Sequence, residues 1–361
     1  MTYIVDAHQD LAWNILTFGR DYVRAAHETR QIEENGQAPQ HNGQTLLGWP
    51  DYQKGKVVIV FSTLFAAPIR AKRDPWDTQC YTTSDQAHQK YLDQIDAYHR
   101  LCGEHPEKFR LILNKADLDS ILKAWEGNPS SAPVGLVILM EGAEGVRTPG
   151  ELAMWYKRGL RLIGLAWAGN RFCGGTREPG GLTPAGYALL DGMADLNLTL
   201  DISHMDEQAV LEALDYYPGP IIASHANAKA LLKNSPSNRH LTDHVIQSLV
   251  ERDAVIGIIP YNRFLKVGWK FGDDRSEVTL DDIVAQIDHI CQIAGDAHHV
   301  GIGSEFDGGF GLSAVPTEID TIADLQKLGP VMAQKGYTEE NIEAIFCKNW
   351  IAHLDKTLPR G

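Results

Sequence analysis

At 361 residues and 43% hydrophobic content, the chain is long enough for two domains or for one α/β barrel with loop insertions, and a disordered chain is excluded. Its 33 basic against 47 acidic residues leave a formal charge of -14, which repels nucleic acid and anionic membrane surfaces and points to small-molecule partners. No eighteen-residue apolar run, amino-terminal signal pattern or lipid-anchor tail is visible. A transmembrane protein is therefore not expected, and the expected location is cytoplasmic. Cys80, Cys102, Cys173, Cys291 and Cys347 are odd in number and form no CxxC pair, favouring neither a disulfide framework nor a thiolate zinc site.

The chain opens on a strand over residues 3–6, closed by His8 and Asp10. Side chains alternate along a strand, so these two share a face and can bind one cation together. Residues 20–55 are polar and carry turn signals at Asn35-Gly36 and Asn42-Gly43; they read as a long excursion over the barrel mouth, a candidate lid. Residues 57–65 predict strand two and residues 82–105 a helix. Residues 109–114 suggest a short extra strand, and 115–125 a helix. The apolar run 134–140 predicts a strand buried on both faces, ending in Glu141. A carboxylate there costs several kcal/mol unless it has a partner, so Glu141 is either a metal ligand or the mate of a buried cation.

Residues 152–159 predict a helix and 160–167 strand four. The glycine-rich stretch 169–175 lacks phosphate-binding spacing and reads as a mobile active-site loop. Thr183-Pro184 opens a helix with an N-cap and a first-turn proline. Strands five and six then read as one phrase written twice: Leu198 to Ile202 leads into Ser203-His204, and Ile221 to Ala223 into Ser224-His225. Arg239 follows in a loop, where arginine is ordinarily solvated. Residues 254–259 predict strand seven, 280–294 a helix, and 298–303 strand eight, closed by Ser304-Glu305-Phe306-Asp307. His27, His41, His88, His99 and His105 lie in helices or loops and read as surface residues.

Eight strands alternating with helices, with no linker between them, predict a single (β/α)8 TIM barrel over residues 1–361, carrying loop insertions at its carboxyl-end face. His8, Asp10, Glu141, His204, His225 and Asp307 would all converge on that face. Nitrogen and oxygen ligands without thiolate suit zinc, with other divalent metals as substitutes. A bridging Glu141 would let His8 and Asp10 serve one ion and His204 and His225 the other. Two such ions can hold a shared water near neutrality in pKa, whose proton Asp307 would carry to a leaving amine.

The phrases Asp6-Ala7-His8-Gln9-Asp10-Leu11, Glu141-Gly142, Gly181-Leu182-Thr183-Pro184-Ala185-Gly186, Leu200-Asp201-Ile202-Ser203-His204, Ser224-His225-Ala226-Asn227 and Phe306-Asp307-Gly308 resemble the membrane (renal) dipeptidase family of the amidohydrolase superfamily. The resemblance implies a binuclear zinc dipeptidase, commonly a homodimer, hydrolysing short peptides that include L-D pairs. It implies that Arg239 receives the substrate carboxylate, that Tyr261 lines the pocket and that Asp307 lies near the attacking water. Three departures stand out. Trp167 falls where mammalian members carry a histidine that contacts the scissile carbonyl, leaving Asn170 or Arg171 as stand-ins. Glu305 stands where aspartate is usual, and the secretion signal, paired cysteines and anchor of membrane-bound members are absent. The alternative is another hydrolase of that superfamily acting on N-acyl amino acids or lactones.

Overall fold

The computed structural model describes residues 2–360. Eight parallel strands form the central sheet: β1 (Ile4–Gln9), β2 (Val57–Phe65), β3 (Val134–Glu141), β4 (Leu160–Gly164), β5 (Thr199–Asp201), β6 (Ile221–Ile222), β7 (Ile256–Ile258) and β8 (Val300–Ile302). They are hydrogen-bonded in the order β6-β5-β4-β3-β2-β1-β8-β7. A single parallel bridge, Ala223 to Ile256, joins the two ends and rounds the sheet into a barrel. The expected (β/α)8 architecture is therefore observed.

The apolar runs form strands because both faces are covered, the inner one by barrel-filling side chains and the outer one by helices. Every residue of β3 is buried, as is all of β2 except its last. These two strands stay in register from Ile59 beside Gly135 to Phe65 beside Glu141. The short strand Phe109–Leu111 pairs outside β3, in the place its sequence suggests. Helices start where short polar side chains can accept first-turn N–H groups. Thr83, Asn114, Thr183 and Asp206 cap the helices Ser84–Glu104, Lys115–Gly127, Pro184–Asp195 and Glu207–Tyr216, each cap being worth about 1 kcal/mol.

Three expectations need correction. The 20–55 excursion holds three short helices, Ala26–Glu33, Ala38–His41 and Trp49–Gly55, and Arg20, Tyr22 and Thr45 fasten it to Asp307 by hydrogen bonds. A segment tied to the barrel through a buried charge is a fixed wall, not a lid. Residues 169–175 are not a free loop either: Cys173–Gly175 pairs with Glu178–Leu182 in an antiparallel hairpin. His88 is buried, with Nδ1 bonded to the Gly145 carbonyl at 2.9 Å. The helix Ser84–Glu104 presents it inward on the same face as Tyr91 and Ile95. No helix among the described residues is long and apolar enough to cross a membrane.

His353, on the closing helix Asn349–Thr357, is also buried, 3.1 Å from the Thr199 hydroxyl. Burial, followed by the nearby Lys356, pushes its imidazole down from 6.5 to about 4. Between these values the unfolded chain binds the proton that the folded chain refuses, so stability falls as pH drops through this window. His353→Gln should flatten that loss by up to about 3 kcal/mol. Urea unfolding of both proteins near neutrality and at about pH 4.5 measures it; equal acid losses would refute the assignment.

Candidate metal centre

In a parallel barrel the residues just past each strand crowd the carboxyl-end mouth. His8 is on β1, and Glu141 ends β3. His204, His225 and Glu305 follow β5, β6 and β8 within a few residues. Metal-binding atoms of His8, Glu141, His225 and Glu305 all lie within 4.8 Å of one another. His204 completes the group, its Nε2 being 2.8 Å from Glu141 Oε1 and 2.9 Å from His225 Nε2. Glu141 divides its carboxylate, with Oε2 lying 3.4 Å from His8 Nε2 and Oε1 turned toward His204. Glu305 Oε2 sits between His8 and His225, at 3.2 and 3.3 Å from their Nε2 atoms. Asp10 stands at the edge, lining the same cleft and accepting a hydrogen bond from Thr63.

The hydroxyls around the rings determine which nitrogen faces the centre. Ser224 gives its one proton to the Asp201 carboxylate, so it can only accept from His225 Nδ1 at 2.8 Å and from His8 Nδ1 at 3.3 Å. Nε2 of each ring is then left with a free lone pair aimed inward. Thr176 does the same for His204 Nδ1 at 2.9 Å. The repeated Ser-His phrase is explained here: Ser203 also donates to Asp201 and accepts from the His225 amide, so both serines hang on one carboxylate. Glycine is required beneath them. A Cβ on Gly257 or Gly303 would come within 1.9 Å of the Ser224 carbonyl oxygen.

These atoms fit divalent cations. His8 Nε2, Glu141 Oε1 and Glu305 Oε2 are buried with no hydrogen bond of acceptable geometry despite their short separations, an arrangement that is costly for ordinary polar groups. Burial, opposed by Arg239, raises Glu141 to about 8. Burial and then the Glu141 charge raise Asp10 to about 7, and burial lifts Glu305 well above the carboxylate range. Burial also holds His204 and His225 well below 6.5, so the rings are neutral donors. Carboxylates that resist ionising together, next to neutral imidazoles, form a donor set that positive charge would relieve.

The structure brings five metal-ligand candidates, His8, Asp10, Glu141, His204 and His225, to one mouth. Arg239 is there too, almost fully buried, donating to the His225 carbonyl at 2.6 Å while Nε and Nη1 have no partner. Tyr261 stacks on Phe310 at 4.2 Å and lies close enough to Glu305 to feel its charge.

Asp307 is placed differently. Its carboxylate accepts from Arg20 at 3.0 Å, Tyr22 at 2.9 Å, Thr45 at 2.5 Å and the Leu46 amide at 3.0 Å. Three of these donors crowd Oδ2 and the Leu46 amide takes Oδ1, so the group is held by the 20–55 segment, while the Glu305 carboxylate faces the centre. Asn170 is likewise spent, its amide bonded to the Leu165 carbonyl and to the Phe172 and Cys173 amides. Arg171 is held by the Val146 and Arg147 carbonyls and the Glu144 carboxylate. Trp167 itself lines the cleft.

The family model for membrane dipeptidases, peptidase family M19, matches residues 1–357. The chain is 30% identical over 271 residues to an uncharacterised protein in the pqqA 5′ region of Klebsiella pneumoniae, covering 72% of this chain and 93% of that protein. It is 27% identical over 326 residues to dipeptidase tcpJ of Claviceps purpurea, covering 86% and 69% respectively. A Rhodobacter sphaeroides metallopeptidase, solved with a phosphinate mimic of the dipeptide L-Ala-D-Ala, superposes with a TM-score of 0.78 at 23% identity, over 99% of this chain and 100% of that one. The probable dipeptidase PvdM of Pseudomonas aeruginosa gives 0.79 at 17% identity, over 100% and 96%. The two solved structures share the fold. With the family model spanning nearly the whole sequence, the chain belongs to the membrane dipeptidase family, M19, and is a metal-dependent dipeptidase.

Proposed function

We propose that the protein hydrolyses dipeptides bearing a free carboxylate, L-D pairs among them, using two zinc ions held at the barrel mouth. The observation that carries this is the divided Glu141 carboxylate, one oxygen toward His8 and the other toward His204, beside a buried Arg239 with two unpartnered guanidinium nitrogens. His8 and Asp10 would hold one ion, His204 and His225 the other, and Glu141 would bridge. Such ions supply a water acidic enough to attack at neutral pH and polarise the scissile carbonyl.

The chain's own residues do the rest. Arg239 takes the substrate carboxylate in a charge-assisted pair that satisfies its free N–H groups. Glu305, whose carboxylate faces His8 and His225 at the centre, accepts a proton from the attacking water and returns it to the nitrogen as the C–N bond breaks. Trp167 and Phe65, with ring centres 5.3 Å apart, wall the cleft against bulk water. The phosphinate bound in the Rhodobacter structure, a mimic of L-Ala-D-Ala, supports including a D-residue on the carboxyl side.

The test is a panel of L-L and L-D dipeptides and their carboxyl-terminal amides, assayed with zinc-reconstituted protein. Hydrolysis is expected for the free acids, with loss on chelation, return with zinc and two metal equivalents by elemental analysis. Stoichiometric metal without turnover of any dipeptide would overturn the proposal.

A further inference from the structure

Beside the metal centre lies a cleft, open at its mouth, whose walls include Asp10, Glu141, Glu305, Asp77, Trp167 and Arg73. Asp10, Glu141 and Glu305 are committed to the centre, and Asp77 is turned back toward its own loop, near the Arg73 backbone amide at 3.4 Å. The one basic residue in the wall is Arg73, on the segment that follows β2. Its guanidinium is unengaged: among the described residues it has no carboxylate within ion-pair range and no side-chain hydrogen bond.

Two features place that guanidinium over the substrate space. It lies against Gly309, where an added Cβ would meet Arg73 Nη2 at 3.1 Å. Gly309 itself has φ +90°, so the position both leaves room for the arginine and suits only glycine. Arg73 also lies near enough to Tyr261, on the segment after β7, to influence its hydroxyl. In the strand order, β2 and β6 are four places apart in a ring of eight. The cleft that Arg73 lines takes its walls from the segments around β1, β2 and β8, Asp10, Phe65 and Gly309 among them, whereas Arg239 enters after β6.

Resting on the dipeptidase reading above, we propose that Arg73 is a specificity residue that selects dipeptides whose amino-terminal residue carries an acidic side chain, aspartate or glutamate. With the substrate's carboxylate on Arg239 and its peptide bond over the metal centre, the amino-terminal residue extends toward the β1, β2 and β8 side. A side-chain carboxylate there meets Arg73, the wall's one uncommitted cation. Lysine or arginine at that position meets the same charge and is disfavoured.

The experiment compares kcat/KM for L-Glu-L-Ala and L-Asp-L-Ala with L-Leu-L-Ala and L-Lys-L-Ala, in the wild type and in Arg73→Ala, Arg73→Glu and Arg73→Lys, all zinc-loaded. The wild type should prefer the acidic substrates on the order of tenfold. Arg73→Ala should bring the acidic-to-neutral ratio near one, Arg73→Glu should turn the preference toward L-Lys-L-Ala, and Arg73→Lys should keep part of the original ratio. Dipeptide turnover with ratios unmoved by all three substitutions overturns this inference alone. Ratios that move for L-Ala-L-Glu and not for L-Glu-L-Ala overturn the placement at the amino-terminal residue. Absence of turnover on every dipeptide overturns the dipeptidase reading and this inference with it.

Discussion

Replacing Glu305 by glutamine is expected to lower kcat by about a hundred- to ten-thousandfold, the range that a positioned acid and base contributes, with little change in folding. Its carboxylate lies within 3.3 Å of two imidazoles at the centre, so the amide removes both the proton carrier and a negative charge. Asp307→Asn should do the reverse. It leaves the buried Arg20 without its full counter-charge, and breaking a buried pair costs about 3 to 5 kcal/mol, while the molecules that remain folded still turn over. Urea midpoints alongside kcat per folded molecule separate the two. An Asp307→Asn protein of unchanged stability but no activity, with Glu305→Gln fully active, would return the catalytic role to Asp307.

Arg239→Met is expected to raise KM for dipeptides by about thirty- to a thousandfold, corresponding to roughly 2 to 4 kcal/mol for a buried charged pair with a carboxylate. Folding should suffer little. Burial already lowers the Arg239 pKa and its Nε and Nη1 have no partner, so the hydrogen bond lost is the one from Nη2 to the His225 carbonyl, worth about 1 to 3 kcal/mol. Loss of affinity for carboxyl-free amides as large as that for free acids would show that the arginine does not read the carboxylate. A KM unchanged for both would favour the lactone alternative, whose substrate has no free carboxylate.

Much of the fold was legible because its strands end in chemistry. A run such as 134–140 is interpretable without tertiary information: an apolar stretch of strand length needs cover on both faces, and a carboxylate at its end needs a partner. The candidate metal ligands that the structure gathers at the mouth followed from the same logic at β1, β5 and β6. What the sequence concealed was orientation after a strand has stopped. β8 ends at Ile302, and past it Glu305 and Asp307 both adopt left-handed backbone, at φ 58° and 63°. Strand alternation therefore says nothing about which carboxylate faces inward. The deciding partners of Asp307, Arg20, Tyr22 and Thr45, are more than 260 residues away in sequence, and no local pattern announces them. Asn170 misled for the opposite reason: its amide is consumed by the backbone of its own turn, which is common for asparagine in loops.

The barrel is not uniformly stitched. Where β2 and β3 share seven registered pairs, the join between β6 and β7 rests on the lone Ala223 bridge and a few flanking amide contacts. That weak seam runs directly beneath His225 and the loop that brings in Arg239, so the cylinder can unzip most easily where two of its functional groups are anchored. An ion held on one side by His225 and on the other by His8 and Glu141, as proposed, would act as a rivet across it, coupling the enzyme's resistance to unfolding to its metal load.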